Sequence, residues 1–143
     1  MLKRLTGVAC GLLLSLLTSI AAAEVVVVVS ADNALDSLSR AQLSDLYLGR
    51  SVSLPNGESL TPIDQSDRSP AHEQFYQEYL GRSPAQIKSH WSRLIFTGRG
   101  QPPRSVSDSQ AVADVVSDDR TAIGYIDSNQ VPVDNTLRVL DIE

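Results

Sequence analysis

Glu24-Val25-Val26-Val27-Val28-Val29-Ser30 sets five valines in a row between polar ends. β-Branched side chains favour the extended, pleated backbone, and a short run without polar alternation reads as a strand covered on both faces. Coverage on both faces predicts a mainly parallel sheet with helices on each side.

The elements expected downstream fit that frame. Ser39-Arg40-Ala41-Gln42 has the form of a capping box, Leu43, Leu46 and Tyr47 recur at helical spacing, and Gly49 is placed to end the helix, which is predicted over about 39–48. Pro55-Asn56-Gly57 signals a turn, and Leu60 to Asp64 reads as a second strand. Ser69-Pro70 and Ser83-Pro84 each pair a helix cap with proline at the first helical position, and Gln86 completes a capping box with Ser83. The first opens a helix bearing Phe75, Tyr76, Tyr79 and Leu80 up to Gly81; the second opens one bearing Ile87, Trp91, Leu94 and Ile95 up to Gly98. Gly98 to Arg104 is predicted to be loop, Ser107 to Ser109 to cap a helix presenting Val112, Val115 and Val116, and Ala122–Ile126 and Leu137–Ile142 to be strands. The expected architecture is a single α/β domain with an open, mainly parallel sheet flanked by helices.

The amino end reads differently. Lys3 and Arg4 precede an apolar run from Leu5 to Ile20 that closes in Ala21-Ala22-Ala23, the pattern of a secretory signal cut before Glu24. The run falls short of the roughly 20 residues that span a bilayer. Cleavage removes Cys10 and leaves 143 − 23 = 120 residues with a net charge of 10 − 17 = −7. The expected location is the periplasm, with no membrane span after cleavage. One domain of this size, without a cysteine, is stabilised by packing alone, and thiol chemistry is excluded. The acidic balance argues against nucleic acid, which demands a basic surface.

Leu38-Ser39-Arg40-Ala41-Gln42-Leu43-Ser44-Asp45-Leu46-Tyr47-Leu48-Gly49-Arg50 resembles the helix leading to aromatic-Leu-Gly-Lys in the phosphate-type periplasmic substrate-binding proteins. Thr121-Ala122-Ile123-Gly124-Tyr125-Ile126 resembles that family's Gly-Ala-Ile-Gly-Tyr-Val strand. The resemblance covers nearly all of residues 24–143 but only one lobe of a two-lobed fold. It implies an oxyanion ligand held by an arginine, a serine hydroxyl and the amides that open the helix after the second strand. The matching stretch is Asp64-Gln65-Ser66-Asp67-Arg68-Ser69-Pro70, in which Ser66, Arg68 and Ser69 are the expected ligand residues. Asp64 stands where the family has arginine, and Pro70 lacks an amide hydrogen, so Asp64 and Asp67 are expected to repel an anion there.

The resemblance implies a phosphate ABC transporter substrate-binding component that takes inorganic phosphate or a similar oxyanion, with a transporter or envelope protein as partner. A single lobe cannot close as a clamp, and a homo-oligomer is one source of the missing wall. The alternative is an envelope interaction or sensor module that has lost its small ligand. Arg93, Arg99 and Arg104 border a glycine-rich loop without phosphate-loop spacing; with the stiff, extended Gln101-Pro102-Pro103 it reads first as a surface loop that docks on a partner, and a second basic rim is the alternative. His72 and His90 lie on different predicted helices without ligand spacing, and nothing resembles a nucleophile elbow, so no enzyme, metal or cofactor is expected. Trp91, Phe96 and Tyr47 read as core.

Overall fold

The computed structural model describes residues 24–52 and 54–143; the leader read over residues 1–23 lies outside the described residues. The valine run forms β1 (Val25–Ser30), and Ser39 caps α1 (Arg40–Tyr47) in a complete capping box with Gln42. β3 (Thr61–Gln65) follows a two-residue strand, β2 (Ser37–Leu38), that the sequence had not marked. α2 (Pro70–Phe75) continues as one wider π turn (Tyr76–Leu80) that stops at Gly81 in the left-handed conformation. Ser83 and Gln86 make the second capping box, opening α3 (Pro84–Phe96). β4 (Arg104–Val106), α4 (Ser109–Asp118) and β5 (Ala122–Asp127) come next, and the last predicted strand divides at Leu140 into β6 (Leu137–Val139) and β7 (Asp141–Ile142).

The main sheet has five strands in the order β4-β3-β5-β1-β6. β3 is parallel to β4 and β5, whereas β1 is antiparallel to both β5 and β6. Four of the five strands therefore run one way and β1 runs against them. The valine run was a correct sign of burial and a poor sign of its own direction, because burial on both faces reports what covers a strand and not how it is paired.

The faces of β1 alternate as a pleat requires. Val25, Val27 and Val29 join Leu43, Tyr47, Phe75, Tyr76, Trp91 and Tyr125 under α1 to α3, while Val28 joins Ile63, Val112, Val116, Ala122 and Ile126 under α4. The first core is aromatic at its centre. Phe75 stacks on Tyr125 with ring centroids 3.9 Å apart, and Tyr47 meets Phe75 edge-on at 4.7 Å. The Tyr47 hydroxyl donates to the carbonyls of Ile63 and Ile123, tying α1 to adjoining strands. The second core is tight: a Cβ on Gly124 would lie 3.2 Å from Val116 Cγ2 and closer still to Val112 Cγ1, which explains glycine within a strand. Phe96 departs from its expected place, for at 92 % exposure it stands in solvent on the last turn of α3.

Candidate functional site

Parallel strands leave their most useful crevice beyond their carboxyl ends, where loops diverge into helices. Here β3 and β5 end side by side, and the loop Ser66–Ser69 leads into α2 while Asp108 leads into α4. A cavity of about 210 Å³ lies between the two helix starts, lined by Ser69, Ala71, Asp108, Ser109, Asp127 and Gln130.

The loop is held to β4 and to itself by hydrogen bonds. The Ser66 amide donates to the Val106 carbonyl at 2.7 Å, the Ser69 amide to the Ser66 carbonyl at 2.9 Å, and the Arg68 amide to Ser66 Oγ at 3.3 Å. Ser66 and Ser69 are half-buried and Arg68 is exposed; of the three expected ligand residues Ser69 lines the cavity, whereas Ser66 and Arg68 lie on the turn before it and are not part of its wall. Ser69 occupies the N-cap position of α2 without capping it: its hydroxyl turns inward and donates to Gln65 Oε1 at 2.6 Å.

Gln65 organises the floor. Its Nε2 donates to the Tyr125 carbonyl at 2.7 Å and to Ser109 Oγ at 3.2 Å. Ser109 Oγ also accepts from the Asp127 amide at 3.0 Å, so with two bonds accepted its own proton has no acceptor among the described residues. Ser109 is thus a donor in the cavity wall that the sequence reading treated only as part of a helix cap. Two carboxyl groups share the rim: Asp108 caps α4 through the Ala111 amide, and Asp127 accepts from the Asn129 amide. Asp127 was also missed, although a polar residue just past a buried strand was the available signal.

Asp64 corrects an expectation. It does not face the crevice as a repelling charge, because it is only 8 % exposed and lies under the π turn. Oδ1 accepts from the Tyr125 hydroxyl at 2.5 Å and from the Gln65 amide at 2.8 Å, and Oδ2 accepts from the Tyr76 hydroxyl at 2.6 Å. His72 Nε2 lies 4.0 Å from Oδ1. Burial first, and then the neighbouring Asp64, hold the Tyr76 and Tyr125 hydroxyls far above the usual phenol range; Tyr47 is raised for the same two reasons. These hydroxyls act as fixed donors into the core and take no part in acid–base exchange at neutral pH. Asp67, by contrast, is exposed beside Arg68. No cluster of three or more metal-ligating side chains occurs among the described residues.

Neither a family model nor a curated protein matches this sequence. Solved structures do. A phosphate ABC transporter substrate-binding protein of Clostridium perfringens, solved with bound phosphate, superposes with a TM-score of 0.63 at 16% identity, over 84% of this chain and 45% of its own. PstS of Borrelia burgdorferi gives 0.63 at 12% identity, over 85% and 47%. An ABC-type phosphate transport receptor of Vibrio cholerae gives 0.54 at 14% identity, over 84% and 46%. At such identity the likeness is one of fold, and the chain spans less than half the length of these proteins. The described residues therefore have the mixed α/β fold of a single lobe of the phosphate-type substrate-binding proteins.

Proposed function

We propose that residues 24–143, released into the periplasm by cleavage of the leader read over residues 1–23, are a single-lobe binding module for phosphate or a similar oxyanion. The observation that supports the reading is the cavity at the carboxyl edge of the sheet that Ser69 shares with Ser109, with Ser66 and Arg68 on the turn that leads into it. Arg68, on the turn that leads to Ser69, forms no salt bridge with a carboxylate among the described residues, and in this reading it folds over the cavity to serve as the cation. The Ser109 proton is a ready donor, and the start of α4 adds a partial positive charge. Asp108 and Asp127 make the rim selective. A ligand that meets an accepting carboxylate must bring a proton, and hydrogenphosphate has one at neutral pH while sulfate does not.

The site is open on the side a second lobe would cover, so affinity is modest unless another protein or a second copy supplies that wall. Titration calorimetry on protein expressed from the full-length sequence tests the reading. Saturable phosphate binding is expected, with sulfate inert, and both Ser69→Ala and Arg68→Ala should abolish it. Phosphate binding that survives both substitutions would remove these residues from the site.

A second reading has one observation in its favour. The position that carries arginine in the family is filled here by Asp64, which is buried and fully engaged by two tyrosines and a backbone amide. A lobe so changed can serve as an envelope interaction or sensor module, and absence of any oxyanion binding favours that role.

A further inference from the structure

At the amino ends of β3 and β4, across the sheet from the crevice, two adjoining cavities of about 450 and 390 Å³ share Gly49 and Arg50 as a common wall. Arg50, Arg93, Arg99, His90 and Thr97 line the larger, and Arg50, Arg104 and Trp91 line the smaller. No acidic side chain lines either cavity among the described residues. Residues 24–143 contain ten lysines and arginines against 17 acids, so four of the ten basic residues gather here in an otherwise acidic domain.

The local charge decides whether this is more than helix-end neutralisation. α1 and α3 both end at the larger cavity, and each helix end contributes about −0.5 of a charge. Asp45, paired with Arg50 at 3.0 Å, adds one negative charge. Three guanidinium groups against that sum leave a surplus of about one positive charge, before Arg104 next door is counted. Arg93 and Arg99 form no salt bridge with a carboxylate among the described residues. His90 and Thr97 are already turned to the helix ends: His90 Nε2 donates to the Leu48 carbonyl at 3.0 Å, and the Thr97 hydroxyl donates to the Arg93 carbonyl at 3.0 Å. The arginines are left to meet a ligand, and their planar forks match phosphoryl oxygens. Trp91 contributes a flat wall, and its indole N–H is without a partner.

We propose that these two cavities form one binding site for a phosphoryl oxyanion carried on a ligand larger than orthophosphate. The space is of the size that holds a small organic ligand. Such a group arrives either on a free phosphorylated molecule or on a phospholipid headgroup, and the exposed Phe96, one turn from Arg93 on α3, stands beside the site for the second source.

The test uses protein expressed from the full-length sequence and its Arg93→Gln/Arg99→Gln variant, both at low salt. Both changed side chains are exposed, and an unchanged melting temperature confirms that the variant is folded. Calorimetry with pyrophosphate reads the free source; co-sedimentation with phosphatidylglycerol vesicles, against phosphatidylcholine vesicles, reads the headgroup. Binding in at least one arm is expected, weakened tenfold or more by the double substitution and untouched by Ser69→Ala. No binding in either arm overturns the site, as does binding that the arginine variant retains. Binding lost instead in Arg68→Ala belongs to the crevice at the other edge, so the two readings fail separately.

Discussion

Asp64→Ala offers the sharpest test of how this core is held. The substitution removes the acceptor of two buried tyrosine hydroxyls, Tyr76 and Tyr125, and of the Gln65 amide. A buried donor left without a partner costs about 1–3 kcal/mol. Two hydroxyls give about 2–6 kcal/mol, and relief from burying a carboxyl group offsets part of it, so about 2–4 kcal/mol is expected. Against a total stability of about 5–15 kcal/mol, that is a large fraction. At about 4 °C per kcal/mol for a domain of this size, the melting temperature should fall by about 8–16 °C. The assay is thermal and urea denaturation followed by circular dichroism. Because the cost lies in orphaned donors, removing them as well should recover stability: Asp64→Ala/Tyr76→Phe/Tyr125→Phe should be more stable than Asp64→Ala alone. A single substitution within about 0.5 kcal/mol of the parent, or a triple variant no better than the single one, would refute the reasoning. The same geometry means that Asp64→Arg, which restores the family's residue type, should unfold the domain and not create a ligand site.

Two further outcomes follow from the core. Tyr47, Tyr76 and Tyr125 have folded-state values raised above the unfolded value of about 10, so stability is complete below about pH 10 and declines above it by about 1.4 kcal/mol per pH unit for each tyrosine. Tyrosinate absorbance should therefore appear for these three only together with loss of the folded circular dichroism signal; free titration in the folded state would contradict their burial. Gly124→Ala forces a methyl group against Val112 and Val116 and should cost about 1–3 kcal/mol, read as a lower urea midpoint with an unchanged slope.

Local signals carried most of the helices. Ser39 with Gln42 and Ser83 with Gln86 announced capping boxes that the structure contains, because the chemistry of a helix start is confined to four residues. The sheet was less legible. β4 hid behind Gln101-Pro102-Pro103, and its three exposed or half-buried residues carry no apolar pattern, since an edge strand needs little burial. The direction of β1 is a long-range property, fixed by β5 and β6, and no local feature of five valines encodes it. The same division holds at the crevice. Ser66, Arg68 and Ser69 lie within four residues of sequence and were read together, whereas Ser109 and Asp127 join Ser69 only through the pairing of β3 with β5 and the packing of α4. Asp64 was misjudged because its partners, Tyr76 and Tyr125, lie 12 and 61 residues away.

The position of β1 also bears on how the chain reaches its fold. This strand follows directly on the leader read in the sequence, yet Val25 pairs with Asp127, 127 − 25 = 102 residues later, and Ser30 pairs with Leu137. The centre of the sheet cannot close until nearly the whole chain is present, and contacts of such separation form slowly. A domain whose first strand must wait for its last quarter stays open through most of its synthesis. It becomes compact only once the far end of the chain has been made.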